Sequence, residues 1–175
     1  MKHFINIKDV PYKTLRQILS DTKKRKDLRK KLKTLEIDKD NPLKGILLIQ
    51  MFEKSSLRTR LSFYLAIRQL GGSALTLRPD ELHLSKGGET LSDTAKILST
   101  YGDIFVLRTD NEKKLNTFKK FLSIPLINGL SPNSHPAQIL SDIFTIEEIT
   151  KKNISRLNIC WIGDSNNVLN SLIEA

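Results

Sequence analysis

Between residues 52 and 60 the chain reads Phe52-Glu53-Lys54-Ser55-Ser56-Leu57-Arg58-Thr59-Arg60, placing hydroxyls and guanidiniums directly after an apolar run and at the start of a helix-periodic stretch. That combination suits an anion. The first-turn N–H groups of a helix have no intrahelical partner and carry the positive end of the dipole. Ser56 and Thr59 add hydroxyl donors, and Arg58 can grip a phosphate with two parallel N–H bonds. The pattern G-x-x-x-x-G-K-[ST] is absent from the sequence, so this is not a nucleotide P-loop. On spacing alone one alternative stays open: Ser55 or Ser56 serves only as an N-cap, and the arginines only solvate the helix.

Three histidines occur, His3, His83 and His135. His135 precedes Pro136 and Gln138 where another helix begins, so an imidazole and an amide stand at a helix entrance, suited to charge developing on a carbonyl oxygen. A His-Pro pair is also an ordinary helix-entry feature. Arg108 closes an apolar run and points to the same strand-end edge, unless it is simply a surface arginine. His83 lies in a polar loop, Pro79 to Gly88, that also holds Lys86. Cys160 sits inside an apolar stretch and is expected to pack rather than to react.

The elements that must carry these groups alternate. Apolar runs at Gly45–Phe52, Ser73–Leu77, Ile104–Leu107 and Ile124–Ile127 read as strands. Helical periodicity covers Arg58–Leu70, Glu89–Tyr101, Asn111–Leu122 and Pro136–Ile149. Strand–helix alternation predicts an α/β fold, a parallel sheet flanked by helices. A fifth buried-type strand, Leu157–Ile162, and a helix from Asn166 to Ala175 follow the polar joint Thr150-Lys151-Lys152-Asn153. This divides the chain into a domain of residues 1–150, including the connecting helix 136–150, and the opening of an incomplete second, Rossmann-like domain, residues 151–175. One strand and one helix cannot bury a core, so residues 151–175 either join the first sheet or begin a second unit.

The 175 residues hold 29 Lys and Arg against 19 Asp and Glu, a net charge of +10 and a pI near 9.7. Much of the excess is local: residues 13–44 carry twelve basic residues against five acids, a net +7. Leu15, Ile18, Leu19, Leu28, Leu32 and Leu35 recur there with helical spacing, and Asp21/Arg25 and Asp27/Lys31 stand at i, i+4. No aromatic interleaves these cations, which disfavours nucleic-acid stacking and favours a solvated helix face. No apolar stretch approaches the roughly 20 residues of a membrane span, and residues 1–6 do not resemble a signal peptide, so a cytoplasmic protein is expected. One cysteine excludes an internal disulfide and a cysteine-built zinc site.

Six stretches, in order, resemble the aspartate/ornithine carbamoyltransferase family, most closely its ornithine branch. They are Phe52–Phe63 (F-E-K-x-S-x-R-T-R-x-S-F), Glu89–Ser99, Arg108, Asn128-Gly129-Leu130, His135–Gln138 and Trp161–Asn167. The resemblance covers essentially the whole chain but about half of a family member: a carbamoyl-phosphate domain and the start of an amino-acid domain. It implies that Ser56, Arg58, Thr59 and the Leu57 N–H hold phosphate. Arg108, His135 and Gln138 would hold the carbamoyl group, with Arg58, Arg108 and His135 stabilising charge on its oxygen. His83 would reach a neighbouring subunit's site in a homotrimer, and Asn167 would contact ornithine. The implied reaction transfers a carbamoyl group from carbamoyl phosphate to ornithine's δ-amine, giving citrulline and phosphate in arginine metabolism, with no metal or cofactor.

The sequence departs from the family pattern at Ser55, usually Pro, and at Leu57, usually Thr, where the backbone N–H is kept but a hydroxyl is lost. The loop before Glu89 is one residue longer and is similar to the aspartate-type loop, which uses a lysine, so Lys86 is expected to share the role of His83 in binding carbamoyl phosphate. Segments that complete the amino-acid site in the family are expected beyond Ala175. The chain is therefore expected to bind carbamoyl phosphate with little or no turnover alone. An aspartate-type fragment and a non-catalytic basic protein binding phosphate or nucleic acid are the competing readings.

Overall fold

The computed structural model describes residues 3–79 and 88–175. Four strands, β1 (Leu47–Phe52), β2 (Ser73–Leu77), β3 (Ile104–Arg108) and β4 (Leu126–Leu130), form one parallel sheet in the order β2-β1-β3-β4. Helices α2 (Leu57–Gln69), α3 (Leu91–Tyr101) and α4 (Glu112–Phe121) connect the strands, and α5 (Pro136–Thr150) follows β4. The chain steps outward from β1 to β2, then returns to place β3 on the other side of β1. Strand order therefore reverses at the β1/β3 pair, and a crevice opens beyond the carboxyl ends of those two strands.

Alternation along each strand explains why both faces are covered. Ile49 and Met51, with Phe105, Leu107 and Leu126, face α3 and α4 and meet Ala95, Leu98, Leu115 and Phe118. The rings of Phe105 and Phe118 lie tilted, their centroids 5.3 Å apart. Leu48 and Val106 face the other way, onto Ile67 of α2. A second core joins Ile7, Leu19 of α1 (Tyr12–Leu28), and Ile139 and Ile143 of α5. The outer edge of β4 is occupied by Phe4, whose N–H donates to Leu126 O at 2.8 Å and whose carbonyl accepts from Asn128 N at 2.8 Å.

Several expectations need correction. Residues 157–162 form no strand: they are irregular, with Cys160 exposed and Ile162 93% exposed. A strand needs a neighbour with free backbone groups, and β4's outer edge is already bonded to Phe4. The helix that follows, α6 (Asn167–Glu174), does attach to the body, packing Val168 and Leu172 on the α5 core. In the basic region the helix ends at Leu28, so Leu32 and Leu35 fall outside it. The i, i+4 pairs also do not form as expected. Arg25 instead reaches Asp38 at 2.8 Å and Asp40 at 2.9 Å, and Asp27 pairs with Lys30. A fork-shaped guanidinium gains more from the buried Asp38, which Arg29 also binds, than from a solvated Asp21. Arg16 holds Glu147 through both nitrogens and Lys26 holds Glu148, so much of the basic surface is engaged within the chain. Among the described residues no helix is long and apolar enough to cross a membrane.

Candidate functional site

Three strand exits meet at the crevice. β1 ends at Phe52, and four residues later Ser56 stands as the N-cap of α2. Its backbone has the extended geometry of a cap, φ −152° and ψ 102°, yet its hydroxyl caps nothing. Instead Ser56 Oγ accepts from Arg108 Nη1 at 3.1 Å, and Thr59 Oγ1, in the first turn of α2, accepts from the same nitrogen at 3.3 Å. Arg108 is the last residue of β3, registered beside Phe52. One guanidinium thus spans from β3 to the helix N-terminus that follows β1. Its Nε is buried without a hydrogen-bond partner, and burial pushes its pKa below the ordinary arginine value.

His135 enters from the third exit, as the N-cap of α5, where Pro136 occupies the first helical position. It is buried, and its Nδ1 has no hydrogen-bond partner. Burial first, and the positive charge of Arg108 second, hold the imidazole below its ordinary pKa, with Asp142 opposing. A helix N-terminus, a desolvated arginine and a neutral imidazole favour a small anion carrying an acceptor oxygen.

The loop presenting His135 is built from buried polar groups. Asn128 donates through Nδ2 to Ile5 O at 3.1 Å and Ser131 Oγ at 3.2 Å, and its Oδ1 accepts from Leu130 N at 3.0 Å. Leu130 sits at φ 153°, a region an L-residue seldom occupies, where the β3–β4 register shifts at Leu107/Arg108. The buried Ser171 hydroxyl of α6 accepts from His135 N at 2.9 Å and lies 3.1 Å from Ser134 Oγ.

Not every expected residue joins this cluster. Ser56, Thr59 and Arg108 are bonded together, and His135 feels the Arg108 charge. Arg58 is exposed, and so is the Leu57 side chain, at 67%. Gln138 is exposed and donates along α5 to Asp142 at 2.8 Å. Asn167 donates to Ser131 O at 2.8 Å. His83 and Lys86 lie outside the described residues. Among the described residues no cluster of His, Cys, Asp and Glu could hold a metal ion.

Sequence reasoning gave no role to Glu53, Thr109, Lys114 or Ser171. Glu53 stands inside the most informative motif. An acid beside a site meant for an anion signals that a cation elsewhere must neutralise it. Here Lys114, 61 positions away, binds Glu53 Oε1, and the buried Thr109 hydroxyl donates to Oε2.

Residues 2–148 match the family described as aspartate/ornithine carbamoyltransferase, carbamoyl-P binding domain. The ornithine carbamoyltransferase of Rhizorhabdus wittichii is 40% identical over 174 residues, 99% of this chain and 56% of the relative. That of Brucella ovis is 42% identical over 175 residues, 100% of this chain and 54% of the relative. The chain therefore spans about half the length of the curated relatives it matches. Among solved structures, Pyrococcus furiosus ornithine carbamoyltransferase superposes with a TM-score of 0.90 at 36% identity, covering 99% of this chain and 53% of the other. The catalytic subunit of M. jannaschii aspartate transcarbamoylase gives 0.75 at 33% identity, covering 87% and 48%.

Proposed function

The chain belongs to the aspartate/ornithine carbamoyltransferase family, and from that premise we propose that it carries the carbamoyl-phosphate site of an ornithine carbamoyltransferase. The observation that supports this most directly is the Arg108 guanidinium bonded to Ser56 and Thr59 at the carboxyl ends of β1 and β3. The ornithine reading is favoured over the aspartate one by likeness, since the ornithine-type structure of Pyrococcus furiosus covers 99% of the chain and the M. jannaschii aspartate-type one 87%.

In this reading the phosphate sits on the first turn of α2, receiving the Leu57 N–H and the hydroxyls of Ser56 and Thr59. Arg58, exposed beside them, swings onto it. Arg108 and His135 address the carbamoyl oxygen, and Gln138 leaves Asp142 to bind the carbamoyl amide. The uncharged δ-amine of ornithine attacks the carbamoyl carbon, a C–N bond forms, and negative charge grows on the oxygen held by Arg108 and His135. The tetrahedral species then breaks its C–O bond, phosphate departs with the electron pair, and the amine proton passes to the leaving phosphate. Catalysis of this kind is positioning plus preorganised charge. Asn167 keeps Oδ1 free to accept from ornithine's α-ammonium. Residues 1–150 form the carbamoyl-phosphate unit and residues 151–175 open the amino-acid unit, within a homotrimer whose neighbours exchange His83 or Lys86.

The test is titration calorimetry with carbamoyl phosphate on the chain and on Arg58→Ala, followed by a citrulline assay with ornithine. Saturable binding that Arg58→Ala weakens supports the reading. A folded chain that binds neither carbamoyl phosphate nor inorganic phosphate refutes it.

A further inference from the structure

The exits of β1 and β3 are joined by a closed ring of contacts behind the site. Lys114 Nζ binds Glu53 Oε1, and Thr109 Oγ1 donates to Glu53 Oε2. Asn111 N donates to Thr109 Oγ1 at 3.1 Å, and Lys114 N donates to Asn111 Oδ1 at 3.1 Å, which returns the ring to Lys114. Its two charged members are largely removed from water, the Glu53 side chain 12% exposed and that of Lys114 23%. The ring also grips the residue that matters, because Glu53 N donates to Arg108 O at 3.0 Å and Thr109 follows Arg108 directly. By contrast the neighbouring pair Lys54–Asp110 is 3.5 Å apart with both side chains well over half exposed, too solvated to fix anything.

We propose that Lys114 is a positioning residue: by neutralising Glu53 and closing this ring, it sets the spacing between the β1 and β3 exits that keeps Arg108 on Ser56 and Thr59. The proposal rests on reading the cluster as an anion site and names the residue that prepares it. Two physical effects follow from the geometry. A largely buried carboxylate with one hydroxyl partner is not stable where it stands, so without Lys114 it turns toward water and releases Thr109, loosening the strand end that carries Arg108. An un-neutralised carboxylate three residues before Ser56 also opposes the anion itself.

The experiment is nitrogen-15 NMR of the full, ligand-free chain, following the Arg108 Nε–H resonance, assigned by its loss in Arg108→Gln, alongside calorimetry with inorganic phosphate. In Lys114→Met the Arg108 signal shifts and its solvent exchange quickens about tenfold, while phosphate affinity falls about tenfold. Lys114→Arg restores both, and Lys113→Met, an exposed neighbour, changes neither. In a Glu53→Gln background, where the carboxylate charge is already gone, Lys114→Met adds nothing further. An unchanged Arg108 signal in Lys114→Met, or additive effects in the double variant, overturns the proposal. A wild-type chain that binds no phosphate, yet whose Arg108 signal answers to Lys114 as described, overturns the functional reading and leaves the positioning role standing.

Discussion

Replacing Ser56 by Ala separates the two roles a serine can have at a helix start. Its hydroxyl accepts no backbone N–H of α2, whereas Thr90, the N-cap of α3, accepts from Asp93 N at 3.2 Å, and Asn166, the N-cap of α6, accepts from Val168 N and Leu169 N. Loss of a working cap costs about 1 kcal/mol, about 2–4 °C in melting temperature for a domain of this size. Thr90→Ala and Asn166→Ala should show that loss. Ser56→Ala removes only one of two acceptors of Arg108 Nη1, and Thr59 remains, so its loss should be about 0.5 kcal/mol or less. Binding should behave in the opposite way. A hydroxyl donating to phosphate makes a charge-assisted bond of about 1.5–3 kcal/mol, so Ser56→Ala should weaken carbamoyl phosphate by roughly 10- to 150-fold. Thr90→Ala should leave that affinity unchanged. Thermal melts and titration calorimetry on the three variants decide the matter. If Ser56→Ala melts as early as Thr90→Ala and binds as tightly as wild type, the hydroxyl is structural and the site argument fails at its first member.

The His135 imidazole, held below its ordinary pKa by burial and then by Arg108, should titrate below the ordinary histidine range in carbon-bound proton NMR spectra, and Arg108→Met should raise its pKa. Because the native value is lowered, the unfolded chain binds the proton first. Stability from this group is therefore fully present above about pH 6.5 and declines as pH falls from there to the native pKa; His135→Gln should remove that slope from urea midpoints measured across the window. Ser171→Ala removes the buried acceptor of His135 N and should lower stability by about 1–3 kcal/mol in denaturant titrations, with Ser171→Thr or Ser171→Cys as size controls. A loss below 0.5 kcal/mol, within ordinary scatter for surface sites, would show that α6 does not hold the His135 loop.

Where local chemistry decides structure, the sequence was readable. The apolar runs that became β1, β2 and β3, and the helix that begins beside Ser56, depend on residues within one or two turns of each other. β4 was read at 124–127, two residues early at its start and three at its end, because Asn128 and Gly129 are poor strand formers. They are in the strand for tertiary reasons: the Asn128 side chain ties the next loop, and a Cβ on Gly129 would lie 3.2 Å from Val106 Cγ1 and 3.3 Å from Leu107 O. Residues 157–162 have a strand's composition without a strand's neighbour, and only the bridge from Phe4 to β4 reveals that. In the candidate site, Ser56, Thr59, Arg108 and His135 were visible as residue types at element ends. The Glu53–Lys114 contact was not, because no periodicity links positions 61 apart. The surface pairs failed for a related reason: Arg25 chose Asp38, fixed by the fold, over Asp21 on its own helix.

Features that weaken a fold gather at this one place. Arg108 Nε and His135 Nδ1 are buried without partners, Leu130 holds φ 153°, and no carboxylate pairs with Arg108 among the described residues. A half-buried cation answered only by two hydroxyls is a poor choice for stability and a good one for receiving an anion, whose charge would supply what the protein withholds. Arg108→Met tests that trade directly. The substitution gives up two hydrogen bonds, each about 0.5–1.5 kcal/mol net, and removes an unsatisfied donor that costs about 1–3 kcal/mol together with the desolvation that depresses the arginine pKa. Those terms nearly cancel or favour methionine, so the variant should melt within about 3 °C of wild type or above it, while phosphate binding disappears. A half-buried residue with a purely structural role would behave otherwise. If Arg108→Met loses more than about 2 kcal/mol in denaturant titrations, beyond the typical single substitution, then the guanidinium is a clamp holding the β1 exit to β3 and its lack of a counter-charge needs a different explanation.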